Sequence, residues 1–122
     1  MDFTSFSIGI DIENIERFRG KSLESDMSFL SLIFTPKELE YCFSKSNSAQ
    51  HLCGRFCAKE AVVKALTPLG IVDVLYNEIE ILNTEKFYPI AKIEKYPNVD
   101  IKVSISHNKE YATANAIVVR LN

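Results

Sequence analysis

Between Phe6 and Ile12 the apolar residues Phe6, Ile8, Ile10 and Ile12 alternate with Ser7, Gly9 and Asp11, the period-two pattern of a strand with one buried face. Asp11 closes the polar face of that strand. The spacing then changes, because Ile12, Ile15 and Phe18 recur at helical intervals, and this places Asp11 at a strand-to-helix junction. Met27, Phe29, Leu30, Ile33 and Phe34 predict a further helical turn or two. Thr35, Pro36 and Glu38 supply the N-cap, first-turn proline and third-position glutamate of a capping box, so a new helix opens there and fades in the polar stretch from Ser44 to Ser48. The longest helical signal runs from about Ala49 to Leu66 and stops before Pro68 and Gly70. Beyond it Glu78 to Leu82, Phe87 to Ile93, Ile101 to Ser106 and Ala112 to Leu121 read as strands, with turns at Asn83 to Lys86 and His107 to Glu110. An N-terminal strand and helices followed by a mainly antiparallel sheet predict an α+β fold. With no repeat, linker or low-complexity tract, residues 1–122 are expected to form one domain.

Composition narrows the function classes. Hydrophobic residues make up 47% of the 122 and charged residues 25%, an ordinary balance for a folded chain. A chain this short exposes much of its surface, so burying an apolar face against identical copies would add stability. The formal net charge of -2 and the lack of a long basic run argue against nucleic-acid binding. An anionic ligand would need a local cluster, and Arg17, Arg19 and Lys21 form the densest basic group near the N-terminus, although such a group is also what a solvated helix end carries. Met1 to Ile12 contains Asp2 and Asp11 and has no basic flank of a secretory signal, and no run reaches membrane-spanning length, so a cytoplasmic location is expected. The cysteines Cys42, Cys53 and Cys57 are then expected to be reduced. His51, Cys53 and Cys57 match no common zinc spacing, and small buried thiols are the better reading.

The charges in the central helix fit their surroundings least well. Glu60 and Lys64 lie four apart and so share a helix face, beside Cys53, Phe56, Cys57 and Ala61. Ala58, Val62 and Leu66 lie opposite, next to Arg55 and Lys59, so the helix is apolar nearly all round. A surface ion pair between Glu60 and Lys64 is the plain reading. A metal ion or a phosphate is the other, because a charge pair among Cys, Phe and Ala needs further compensation if buried. Asp11 is a good helix N-cap on its own. Together with Glu60 it also suits magnesium, which takes one or two protein carboxylates and completes its octahedron with water and phosphate oxygens. His107 either contacts a phosphate or simply occupies a hairpin tip. The chain has no Walker loop, no GxGxxG and no nucleophile elbow.

Several segments taken in order resemble one family. SIGIDIENIERF, with Asp11 in GIDI, is similar to the opening of holo-acyl-carrier-protein synthases, and FTPKELEY to their next helix start. GRFCAKEAVVKAL is similar to their central helix, with Glu60 and Lys64 at the acidic and basic positions, and VSISHNKEYATANAIVV to their closing hairpin. The resemblance implies a 4'-phosphopantetheinyl transferase fold and a homotrimer with active sites between neighbouring subunits. It implies magnesium on Asp11 and Glu60, Lys64 on the phosphates and leaving group, and Arg55 and His107 as coenzyme A contacts. Two segments depart from the family. KALTPLGIVDV keeps only Gly70 of a usual GTG turn, and NTEKFYP carries Lys86 and Phe87 where a glycine is usual.

The reaction so implied is attack of a carrier-protein serine on the β-phosphorus of coenzyme A, releasing adenosine 3',5'-bisphosphate. Phosphoryl transfer is catalysed chiefly by positioning and charge stabilisation, which a metal on the pyrophosphate and an adjacent lysine would provide. Either Glu60 or a magnesium-bound water or hydroxide can take the serine proton. An acidic apo acyl carrier protein would need a basic docking residue, and Arg17 is the candidate. Two other readings stand beside the enzyme: a catalytically inactive coenzyme A- or carrier-binding homologue of the same fold, and a small α+β oligomerisation or ligand-binding module.

Overall fold

The computed structural model describes residues 5–86 and 88–121. Strand β1 (Phe6–Asn14) is followed by a 3-10 turn (Ile15–Phe18) and then by helices α1 (Leu23–Ile33), α2 (Pro36–Phe43) and α3 (Ser48–Leu66). Strands β2 (Glu80–Asn83), β3 (Pro89–Lys92), β4 (Val99–His107) and β5 (Tyr111–Arg120) complete the chain. The strands form an antiparallel sheet in the order β1-β5-β4 and a separate β2-β3 hairpin, with α3 lying across the larger sheet and touching all three of its strands. The α+β expectation holds.

Local signals account for the element boundaries. The capping box at α2 forms as the sequence predicts: Thr35 Oγ1 accepts from the Glu38 backbone, and the Glu38 carboxylate accepts from the Thr35 N–H. Gly70 closes the turn after α3 in the left-handed region, φ +79°, where a Cβ would be strained. Other boundaries shift. The region of Met27 to Phe34 forms a full helix, α1, capped by Ser22 and kinked at Asp26. Glu78, expected to open a strand, instead ends a 3-10 turn (Tyr76–Glu78), and β2 begins at Glu80. The strand expected from Phe87 forms over Pro89–Lys92, and Phe87 itself lies outside the described residues. His107 is the last residue of β4 rather than part of the following turn.

The largest difference from the sequence pattern is the orientation of β1. Ile8, Ile10 and Ile12 point away from the core and are 67, 63 and 65% exposed, whereas Ser7 and Asp11 are buried against the rest of the fold. The face that packs on α3 is therefore the small and polar one. Gly9 explains how it packs. A Cβ built there would lie 2.0 Å from the Ala61 carbonyl oxygen and 2.9 Å from the Ala65 nitrogen, so strand and helix meet backbone to backbone. On β5 the residues paired with this face are Ala112, Ala114, Ala116 and Val118, all buried and mostly small.

The core beneath α3 has a polar fastening. Lys59 is wholly buried, and its ammonium donates to Glu38 Oε1 at 2.7 Å, the Ile33 carbonyl at 2.7 Å and the Tyr76 carbonyl at 2.9 Å. Glu38 accepts the Thr35 and Ile81 N–H groups as well, both at 2.8 Å. Burial lowers the Lys59 pKa, and the Glu38 charge opposes that shift. The pair joins α2, α3, the Tyr76 turn and β2, and every strong donor and acceptor in it is matched, as a buried ion pair requires.

Candidate active site

The backbone-to-backbone approach at Gly9 brings Asp11, two residues further along the same strand face, against the middle of α3. Asp11 Oδ1 accepts from Lys64 Nζ at 3.1 Å, and Lys64 also reaches the Ile10 carbonyl at 3.0 Å. Asp11 Oδ2 accepts from the Cys57 thiol at 3.4 Å. Lys64 thus pairs with Asp11 across the strand–helix contact and does not form the expected ion pair with Glu60. Nor does Asp11 cap a helix, since the N-cap of the 3-10 turn is Asn14, whose side chain accepts from the Glu16 N–H at 3.0 Å. Asp11 is an 8% exposed carboxylate held by Lys64 and Cys57.

Glu60, one turn before Lys64, accepts instead from the Tyr76 hydroxyl. That bond is also the main reason the Tyr76 pKa is pushed up to about 12. One carboxylate oxygen each from Asp11, Glu13 and Glu60 lie within 4.8 Å of one another. Glu13 joins the site beyond the residues expected from the sequence, and its position two residues after Asp11 on one strand face is the signal for it. Its pKa is raised to about 6, chiefly by burial and then by Asp11, while Arg17 opposes the shift. A set of three hard oxygen donors that repel one another when ionised fits a cation such as magnesium. These residues would hold one.

Arg17, the docking candidate, lies at the rim of this cluster. Its guanidinium donates to Glu13 Oε1 at 3.1 Å and lies 4.8 Å over the Phe56 ring, with half its side chain exposed.

Arg55 points elsewhere, since five residues along a helix turn it about 140° from Glu60. It is buried against α2, 4.0 Å over the Tyr41 ring. With Tyr41, Lys45, Leu82, Asn83 and Thr84 it lines a hollow. Arg55 Nε and Thr84 Oγ1 are buried there without a hydrogen-bond partner, which is costly unless a ligand or water completes them. His107 accepts from the Gln50 side-chain amide at 2.7 Å. The pKa of His51 is lowered, first by burial and then by Arg55, Lys45 and His107. The fold therefore gathers Asp11, Glu60 and Lys64 into one acidic site with a lysine, and places Arg55 in a separate basic hollow.

Residues 7–116 match the family model described as the 4'-phosphopantetheinyl transferase superfamily. The chain belongs to that superfamily. Among curated members, a holo-[acyl-carrier-protein] synthase of Chlamydia trachomatis is 43% identical over 117 residues, covering 92% of this chain and 98% of its own. One from Protochlamydia amoebophila is 37% identical, covering 93% and 97%. Among solved superfamily structures, a holo-(acyl-carrier-protein) synthase from Bacillus anthracis in complex with CoA (3',5'-ADP) superposes with a TM-score of 0.75 at 30% identity, covering 95% of this chain and 96% of its own. The Helicobacter pylori enzyme in complex with coenzyme A gives 0.74 at 32% identity, covering 93% and 98%. The phosphopantetheinyl transferase fold expected from the sequence is the fold this chain has.

Proposed function

We propose that this chain is a holo-[acyl-carrier-protein] synthase that moves the 4'-phosphopantetheine of coenzyme A onto a serine of an apo acyl carrier protein, releasing adenosine 3',5'-bisphosphate. The observation that carries the reading is the convergence of Asp11 from β1 with Glu60 and Lys64 from α3, held by the contact at Gly9. Asp11 and Glu60, with Glu13 beside them, would bind magnesium. When bound, the ion would neutralise charge on the coenzyme A pyrophosphate. Lys64, already within bonding distance of Asp11 and half exposed, is free to turn toward the leaving bisphosphate and stabilise the charge that develops there. A carboxylate of the cluster accepts the serine proton as its oxygen attacks phosphorus. The hollow with Arg55 and Lys45 suits the anionic nucleotide end of coenzyme A, and Arg55 Nε and Thr84 Oγ1 are donors without partners there. His107 is the further contact we assign to coenzyme A.

The exposed Ile8, Ile10 and Ile12 face supports assembly into a homotrimer, because so large an apolar strip on a short chain is ordinarily covered. Arg17, half exposed at the rim of the acidic cluster, is our docking residue for an acidic carrier protein. We take residues 1–122 as one such domain, acting in the cytoplasm in lipid or specialised acyl-chain synthesis. No helix of the described residues is long and apolar enough to cross a membrane. The test is to incubate the protein with coenzyme A, magnesium and several apo acyl carrier proteins and to weigh each carrier. A magnesium-dependent gain of one phosphopantetheine on a serine is expected. A protein that binds coenzyme A but modifies no carrier would be the inactive homologue.

A further inference from the structure

Tyr76 stands in the 3-10 turn between α3 and β2, and the transfer chemistry described above does not use it. Three contacts fix it. Its ring meets Phe56 edge-on with centroids 5.6 Å apart, its carbonyl accepts from Lys59 Nζ at 2.9 Å, and its hydroxyl donates to Glu60 Oε1. Lys59 is the residue before Glu60 and is itself anchored by Glu38 and the Ile33 carbonyl. The buried ion pair therefore ties the turn to α3 beside the carboxylate that the turn's tyrosine holds.

We propose that Tyr76 is a positioning residue for Glu60, keeping its carboxylate oriented toward Asp11 and Glu13 for a divalent cation. The inference rests on the magnesium reading given above. A glutamate has three side-chain torsions to order, and among the described residues the Tyr76 hydroxyl is the one hydrogen-bond donor to the Glu60 side chain. The other two acids are held by cations, Asp11 by Lys64 and Glu13 by Arg17. Those cations compete with a metal for the same charge. A neutral hydroxyl does not, so it can keep one carboxylate oxygen while the other binds the ion, as groups hydrogen-bonded to metal ligands commonly do.

The test is Tyr76→Phe, which removes one oxygen and keeps the ring against Phe56. Manganese, whose free form is counted by electron paramagnetic resonance, is titrated into the protein without coenzyme A. Affinity should fall about 10-fold, with the thermal midpoint in chelator nearly unmoved. In the transfer assay the magnesium needed for half-maximal rate should rise by a similar factor, while KM for the carrier stays parental. Parental manganese affinity in Tyr76→Phe, with or without a lower thermal midpoint, would reduce the tyrosine to a packing residue. Glu60→Gln separates the two ideas. If it weakens manganese and Tyr76→Phe does not, only the positioning role fails; if neither weakens manganese, the metal reading fails with it.

Discussion

The two faces of the β1-β5-β4 sheet divide their residues in opposite ways. The inner face of β1 carries Ser7, Gly9, Asp11 and Glu13 against alanines of β5 and the flank of α3. The outer face carries Ile8, Ile10 and Ile12, with Ile117 paired to Ile8, and stands open. An apolar strip would ordinarily be the buried one. The inversion follows from what the inner face has to do. Only residues without bulk let α3 come close enough for a strand carboxylate to meet a helix glutamate and lysine. The large apolar side chains are thereby left for the other side, where a second chain can cover them. The proposed site occupies the face that packs within the chain, and the face expected to form the core stands open.

The comparison is most sharply tested on the inner face through its carboxylates. If Asp11 and Glu60 hold a cation on the pyrophosphate, Asp11→Asn and Glu60→Gln should each cut turnover about 10²-fold to 10³-fold, equivalent to about 2.7 to 4 kcal/mol. The thermal midpoint of the metal-free protein should stay near parental, because the repulsion relieved among the carboxylates offsets the lost attraction of Asp11 for the half-exposed Lys64. Turnover and midpoint across a magnesium titration check both halves. Near-parental turnover would leave the inner face merely structural.

Gly9→Ala tests the packing that brings the acids to the helix. The added methyl would meet the Ala61 carbonyl oxygen, a backbone atom that cannot swing aside. Destabilisation at the top of the usual overpacking range, about 3 kcal/mol, is expected, and activity should fall with it as Asp11 is pushed from Lys64. Denaturant midpoints measure the first effect. An unchanged midpoint would mean that the strand and helix are not in the close contact described.

Much of this was legible in the sequence, and the parts that were not share a cause. The capping box at Thr35 and the extent of α3 are local signals, and they held. Period-two alternation in β1 states that two faces differ but not which one the chain's own core receives. That depends on Gly9, whose role appears only once α3 lies over it. Asp11 and Glu60 were identifiable as a pair from their chemistry. Glu13 could have been found from its place on the Asp11 face. Tyr76 could not, because it lies in a 3-10 turn whose position is set by the long-range Lys59 bond to its carbonyl. Likewise helical spacing alone pairs Lys64 with Glu60, whereas the approach of β1 offers it Asp11 and the Ile10 carbonyl together.

On the outer face Ile10→Glu should act on assembly and little else. Ile10 is already 63% exposed in the single chain, so its replacement should move the stability of an isolated copy by no more than about 0.5 kcal/mol. In a trimer a charge there would be buried against a neighbour without a partner, so light scattering should find the parent as a larger assembly and the variant as a monomer. The parent's thermal midpoint should also rise with protein concentration, and the variant's should not. A parent that is monomeric at all concentrations would break the contrast between the faces.

The smallest effect is a pH dependence confined to the inner face. Glu13 has its pKa raised from its ordinary value of 4.5 to about 6, first by burial and second by Asp11. Between those values the folded chain binds more protons than the unfolded one, so the contribution of Glu13 to stability falls as pH rises from about 4.5 through 6 and stays unfavourable above that. Glu13→Gln removes the ionisation. In chelator, the variant's thermal midpoint should stand lowest against the parent's near pH 4.5, where Glu13 in the fold is still neutral. The Arg17 ion pair enters only as Glu13 ionises, and it takes little from the variant's gain at higher pH because Arg17 is half exposed. With rising pH the variant should gain on the parent, and the gain should level off above about pH 6. Added magnesium should reverse the order at neutral pH, since it stabilises the charged parent cluster and finds one carboxylate fewer in the variant. The comparison of midpoints is made every half pH unit from 4.5 to 8, and a difference that does not vary with pH would show that Glu13 ionises as freely in the fold as out of it.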